Sequence, residues 1–416
     1  MDALKWGGGT LLVALGTALA LQKSCRARAE TVRTRAALAQ EVKEIAPSVE
    51  RLTGLRFKRP PVVVRRDRDQ VRDYLLHKFE EDLPEGEREG AQAAYRLFGL
   101  LPDTVDLRTA LLDVLSEQVA GYFDPDSNEL FLPTDLDPSV ERTTIAHELV
   151  HALQHQYTNL DSIVRQKQAN DRRTAAQSVL EGQAVLVQTQ VAMPEKTLAE
   201  YPSFWDTKGT ILGLQAQMPE FSRAPLWLRE SLIFPYLAGA DFVRWFDTRY
   251  PGKHPFGALM PTSTEQILDP ARYAARDAPV TLAFERGGPD TVRYEDDLGE
   301  FEGGLLVDEL LGDTVSSPTA GDVGPAQTAA GWAGDRYQVL GAAANALVWY
   351  SVWDTPAARD AFQRKLERAW SKRSAPSRRS SITPLTVNGR PALRLVDAPR
   401  DWKGWSRLPQ VRVTRG

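Results

Sequence analysis

The stretch TIAHELVHALQHQY, residues 144–157, constrains this chain more than any other. The protein has five histidines in 416 residues, and His147, His151 and His155 all fall here. Two imidazoles four residues apart reach one ion only on a helix, where they lie about 40° apart around the axis and about 6 Å apart along it. Glu148 lies about 100° round from His147, close enough to touch a water at that ion. His147-Glu148-Leu149-Val150-His151 is thus an H-E-x-x-H pattern, two metal ligands with a general base beside the first. Asp137-Pro138 supplies a capping carboxylate and then proline at the first helical position, a helix start. Ile145, Leu149, Ala152 and Leu153 give the helix an apolar face.

Zinc at a catalytic site takes three protein ligands and leaves one position open, so the pair is incomplete. The continuation H-E-x-x-H-x-x-G-x-x-H is not met, because Gln154 stands in place of the glycine and Tyr157 in place of the last histidine. A straight helix carries His155 past the ion, so it reads as an outer or surface polar residue. The better third ligand is Glu181 in VLEGQAVLV, a lone carboxylate in an apolar helix expected over 174–191. Buried there it needs a partner; the bland alternative is a Glu181 facing solvent. Gly182 and Ala184 would let this helix pack closely on the metal helix. The expected site is therefore His147, His151 and Glu181 as ligands of Zn2+, with Glu148 as the catalytic base.

The rest of the chain frames that site. Residues 29–55 have helical spacing, Val62-Val63-Val64 reads as a short strand, and 67–115 holds two or three helices. AGYFDPDSNELFLP, residues 120–133, is a hairpin, its turn built from Asp124 to Asn128. Asn388-Gly389 marks a second hairpin near the C-terminus. His77 and His254 carry no partner signal, and Trp332, Trp349 and Trp353 read as core. Two tyrosines, Tyr236 in FPYLAG and Tyr157, are the candidates to donate to a tetrahedral oxyanion.

Together VAGYFDPDSNELFLP, TIAHELVHALQHQY, LEGQA, FPYLAGADFV, PTSTEQILDPARY and GWAGDRYQVL followed by LVWYSVWD resemble the zincin metallopeptidases of the gluzincin division. More narrowly, they resemble a group of largely uncharacterised exported or surface-anchored metallopeptidases of bacteria and archaea. The likeness runs from about Val119 to Asp354. It implies an α+β, mainly helical fold, with a zincin-like catalytic domain whose small sheet lies beside the H-E-x-x-H helix, and a C-terminal α/β region. In such folds a substrate peptide extends the sheet, and Asn128 to Leu132 is the segment expected to receive it. Two departures stand out. Val185 is not the Asp of thermolysin-like enzymes four residues after the ligand Glu, and Asp269 stands where relatives tend to have histidine.

Composition sets the surroundings. A net charge of −4 speaks against a nucleic-acid partner. Charge is uneven: ten acids lie in 285–313 and fourteen Lys/Arg in 364–416. The plain expectation is two oppositely charged solvated surfaces; the sharper one is a basic tail for an anionic polymer or membrane. Lys5 precedes an uncharged run at residues 6–22, short for a membrane span and suited to a signal peptide, though an uncleaved anchor stays open. Cys25 is the single cysteine, so no intrachain disulfide forms. The expected divisions are a signal peptide or anchor at 1–29, a zincin-like domain at 30–280 and a C-terminal α+β region with a basic tail at 281–416. The expected activity is zinc-dependent hydrolysis of a peptide or protein substrate outside the cytoplasm, in a secreted, periplasmic or membrane-anchored form. The alternatives are a non-catalytic zinc-binding scaffold that binds an envelope partner, or an anchored protein with a chance motif.

Overall fold

The computed structural model describes residues 13–15, 35–82, 84–159, 166–285, 290–312, 328–343, 345–373 and 375–414. Of the leader expected at 1–29, only Val13–Leu15 lies within them. Among the described residues no helix is long and apolar enough to cross a membrane.

The fold is α+β and mainly helical. After β1 (Val13–Leu15) come α1 (Arg35–Thr53), β2 (Val62–Arg66), α2 (Arg68–Asp82), α3 (Glu85–Phe98) and α4 (Leu107–Gln118). The hairpin β3 (Val119–Asp124) and β4 (Glu129–Pro133) leads into α5 (Pro138–Tyr157), then α6 (Asn170–Ala192). Helices α7 (Lys208–Gln215), α8 (Pro219–Arg223), α9 (Leu226–Arg249), α10 (Thr264–Leu268) and α11 (Pro270–Ala275) follow. The chain ends with β5 (Thr281–Phe284), β6 (Val292–Asp296), α12 (Gly299–Leu311), β7 (Trp332–Leu340), β8 (Ala346–Trp353), α13 (Pro356–Ser371), β9 (Arg378–Val387), β10 (Arg390–Pro399) and β11 (Val411–Thr414).

A four-stranded sheet in the order β1-β3-β4-β2 lies beside α5, with Phe123 of β3 against His155. β4 pairs antiparallel with β3 and parallel with β2. The strand expected to receive substrate at Asn128 to Leu132 is therefore interior, both its edges already hydrogen-bonded, and that placement is corrected. The sequence showed the hairpin and a short strand at Val62-Val63-Val64, but not that the second closes the hairpin's free edge.

Helix α5 starts as its sequence dictates, with the Asp137 side chain accepting from the Ser139 N–H and Pro138 in the first turn. Every residue from Thr144 to Gln154 is buried, so this helix is enclosed all round rather than amphipathic. Its apolar side (Ile145, Leu149, Leu153) packs on Leu38, Ile45 and Val49 of α1, Leu130 and Leu132 of β4, and Ala184 of α6. Each such side chain contributes roughly 1.5–3 kcal/mol on burial.

Helix α6 divides its surface. Glu181 and Ala184 face α5, whereas Gly182 faces α9 rather than the metal helix, contrary to expectation. A Cβ on Gly182 would lie 2.1 Å from the carbonyl carbon of Gly239, and one on Gly239 would lie 1.9 Å from the Ser178 oxygen. The two backbones touch, and only glycine fits on either side.

The acids of 285–313 were expected on a solvated surface. Asp296, Glu300, Glu302 and Asp308 are instead buried. The start of α6 is capped from that stretch: the Asn170 N–H donates to Asp296 at 3.0 Å and the Asp171 N–H to Asp297 at 2.7 Å. Asp171 in turn accepts from the Thr264 N–H at the start of α10, and Asp335 accepts from the Leu298 and Gly299 N–H groups at the start of α12. Carboxylates favour helix N-termini, which explains why Asp171, Asp296 and Asp335 lie inside. A cavity of about 350 Å³ opens beside them, lined by Asp171, Asp297, Asp335, Arg336 and Trp332. The largest core runs across residue 280, joining Phe98, Phe234 and Phe246 to Phe301, Trp349, Trp353 and Phe362. The second sheet, in the order β6-β7-β8-β10-β9, contributes to it.

Candidate metal centre

His147 and His151 project from one side of α5 toward Glu181 of α6. His147 Nε2 lies 3.2 Å from Glu181 Oε2, and His151 Nε2 lies 3.5 Å from the same oxygen. One ligating atom from each residue falls within 4.8 Å of the others, and all three side chains are buried. Ligand atoms at tetrahedral corners about 2.0–2.1 Å from zinc would stand about 3.3 Å apart. The spacing and the donor set, two imidazoles and a carboxylate, fit such an ion. The solvent-facing alternative for Glu181 is excluded, since its exposure is 4%.

Each histidine is held from behind. His147 Nδ1 lies 3.0 Å from Gln188 Oε1, and His151 Nδ1 lies 2.8 Å from Gln154 Oε1. The Gln154 amide nitrogen donates to the Leu180 carbonyl at 2.9 Å and to Gln183 Oε1 at 3.0 Å. A carbonyl can only accept, so the Gln154 amide is oriented with its oxygen toward His151, whose Nδ1 then carries a proton. Gln154 was noted in the sequence only as a missing glycine, and Gln188 was not noted at all. Its position seven residues, or two turns, after Glu181 was the available signal. It supplies the support that Val185, buried in the core, does not.

The electrostatics are those of a site that could hold a cation. Burial disfavours charge on His151, yet the Glu181 carboxylate outweighs it and raises the group to about 9. Burial likewise opposes charge on Glu181, but the two histidines hold it down at about 2. His147 is lowered, burial prevailing over its bond to Glu181. A proton therefore rests with the His151–Glu181 pair, where a dication would replace it.

Glu148 is fully buried on the same helix. The Tyr236 ring lies nearly parallel to that of His147, 16° apart with centroids at 6.2 Å, so this oxyanion candidate is at the site. Tyr157 is not: it is exposed at the end of α5, and its hydroxyl donates to the Arg56 carbonyl at 2.7 Å. His155 packs on Phe123 at 6.0 Å and takes no part in the triad. Asp269 is exposed and caps α11 through the Ala271 N–H. Trp332, Trp349 and Trp353 are core residues, the first two donating to Asp335.

Residues 103–209, which contain the whole triad and Glu148, match a peptidase family model described as the IrrE N-terminal-like domain. Residues 290–400 match a domain of unknown function, DUF8575. No curated protein and no solved structure matches the chain. The first match supports a metallopeptidase-like family for the segment that carries the His147, His151 and Glu181 cluster.

Proposed function

We propose that this protein is a zinc-dependent peptide-bond hydrolase of the gluzincin kind that acts outside the cytoplasm. The observation that carries the reading is the buried His147–His151–Glu181 cluster, its ligating atoms within 4.8 Å of one another, with Glu148 next to the first ligand. His147, His151 and Glu181 would hold the ion. When bound, zinc would supply Lewis acidity, polarising a scissile carbonyl and making water acidic near neutral pH.

The remaining steps belong to the chain's own side chains. Glu148 takes the proton from the attacking water and returns it to the departing amine. Tyr236, whose ring lies nearly parallel to that of His147, would be the donor toward the developing oxyanion. The substrate's extended backbone would add beside β3 by taking the place of Val13–Leu15, which pairs with that edge here. The uncharged run at residues 6–22 supports action beyond the cytoplasm, as an exported or anchored protein. Recovery of the full chain only from the cytosolic fraction of its host would sink that part.

Glu148→Gln is the test of activity. It should leave metal content unchanged and lower peptide hydrolysis by roughly 10²–10⁴-fold. Wild-type turnover in the variant would remove Glu148 from its role.

A second reading is a non-catalytic zinc-binding scaffold for an envelope partner. It draws on the closure of the centre, where His147, Glu148, His151 and Glu181 are each 4% exposed or less. A metal-loaded protein that cleaves none of a broad peptide library would favour it.

A further inference from the structure

We infer that Gln154 and Gln188 are the positioning residues of the metal centre, and that Gln154 works because it is an amide with two functional faces. The inference rests on the metal reading above and deepens it. A metal-binding imidazole offers one nitrogen to the ion, and its other N–H must be satisfied to fix ring and tautomer. Gln188 does this for His147 at 3.0 Å and Gln154 does it for His151 at 2.8 Å. Both acceptors are neutral oxygens, so no further negative charge is placed behind the ligands.

The two glutamines differ in what lies beyond them. Gln188 is half-buried near the end of α6, where a carboxylate could be solvated. Gln154 is fully buried, and its nitrogen donates to the Leu180 carbonyl and to Gln183. Leu180 is the residue before the third ligand. Gln154 therefore spans from one ligand, His151 on α5, to the backbone beside another, Glu181 on α6. A carboxylate at 154 could still accept from His151 Nδ1, but it would face two acceptors with no proton to give. A carboxylate at 188 would keep the single bond that Gln188 makes to His147.

The test uses the full chain, stripped of metal, with zinc as the probe and a chromophoric chelator as competitor. Gln154→Ala and Gln154→Glu should each weaken zinc binding by roughly 10–100-fold. Gln188→Ala should weaken it likewise, whereas Gln188→Glu should bind at least as well as wild type. Histidine ¹⁵N spectra of the zinc-loaded proteins give a readout that loosened packing alone would not move. Wild type should show Nδ1–H on both His147 and His151, with the His151 signature lost in Gln154→Ala. Thermal unfolding of the metal-free variants accompanies each titration. Zinc binding and spectra unchanged in Gln154→Glu would overturn the two-faced role, as would weakened binding in Gln154→Ala with its His151 tautomer intact. Wild type that takes up no zinc would overturn the metal reading itself; wild type that binds while every variant binds equally would overturn only the present inference.

Discussion

At the scale of single residues, the centre pairs each strong charge with a nearby opposite one. In the metal-free protein His151 is raised to about 9 because Glu181 outweighs burial, while Glu181 is held at about 2. Zinc entering at pH 7 must displace that proton, so its affinity should rise as pH climbs toward 9. Calorimetric titration in buffers of different ionisation enthalpy should count at least about one proton released per ion at pH 7. Zinc uptake at pH 7 with no proton release would place the proton elsewhere. Three of the four expected site residues, His147, Glu148 and His151, were legible because one turn of helix fixes their relation. Glu181 was legible by a different route, as a carboxylate that apolar neighbours would make intolerable without a partner. Gln154 and Gln188 were not, because a glutamine gives no sign in sequence of what its amide touches. Tyr157 misled for the same reason: nothing local says that Arg56, a hundred residues earlier, offers its hydroxyl a carbonyl.

At the scale of elements, the site depends on how closely three helices approach. α9 reaches α6 at Gly182 and Gly239, where backbone meets backbone, and the same helix brings Tyr236 to His147. Gly239→Ala forces a methyl group into the Ser178 carbonyl and should cost at least about 1–3 kcal/mol, as overpacking does. Urea unfolding should show that loss, and zinc titration should show weaker binding, since α6 must shift with Glu181 on it. An undisturbed midpoint would mean that the helices separate freely. Gly182 was read as a small residue for close packing, and that reading stands, but its partner was assigned to the wrong helix. Small residues announce a close approach without naming the neighbour. The β4 edge failed similarly, because strand pairing between residues 62–66 and 129–133 is a long-range choice.

At the scale of the whole molecule, buried acids hold the two halves together. Burial raises Asp171 to about 7, Glu302 to about 8 and Glu300 to about 9, with neighbouring carboxylates adding to the effect on Glu300. A carboxyl raised on folding binds more protons in the native state than in the unfolded chain. Stability is then fullest below the unfolded value near 4 and falls as pH rises through 7 to 9. The metal-free protein should therefore unfold at lower urea at pH 8.5 than at pH 5.5, and Glu300→Gln should flatten that dependence. A midpoint that rises over this interval would show that other groups govern it. Charge counting along the sequence detected Glu300 and Glu302 but assigned them to solvent, because a run of acids normally marks a wet face. Capping of three helix starts is a spatial arrangement that the count does not carry.

Helix α6 is capped by Asp296 and Asp297, within the stretch matched by DUF8575, and carries Glu181 at its middle, within the stretch matched by the peptidase model. The two matches cover separate stretches of the sequence, whereas the unit that must stay whole is larger than either. Cutting the protein near residue 281 would not release a minimal metal-binding fragment; it would leave the third ligand on a helix whose first turn has lost its anchor.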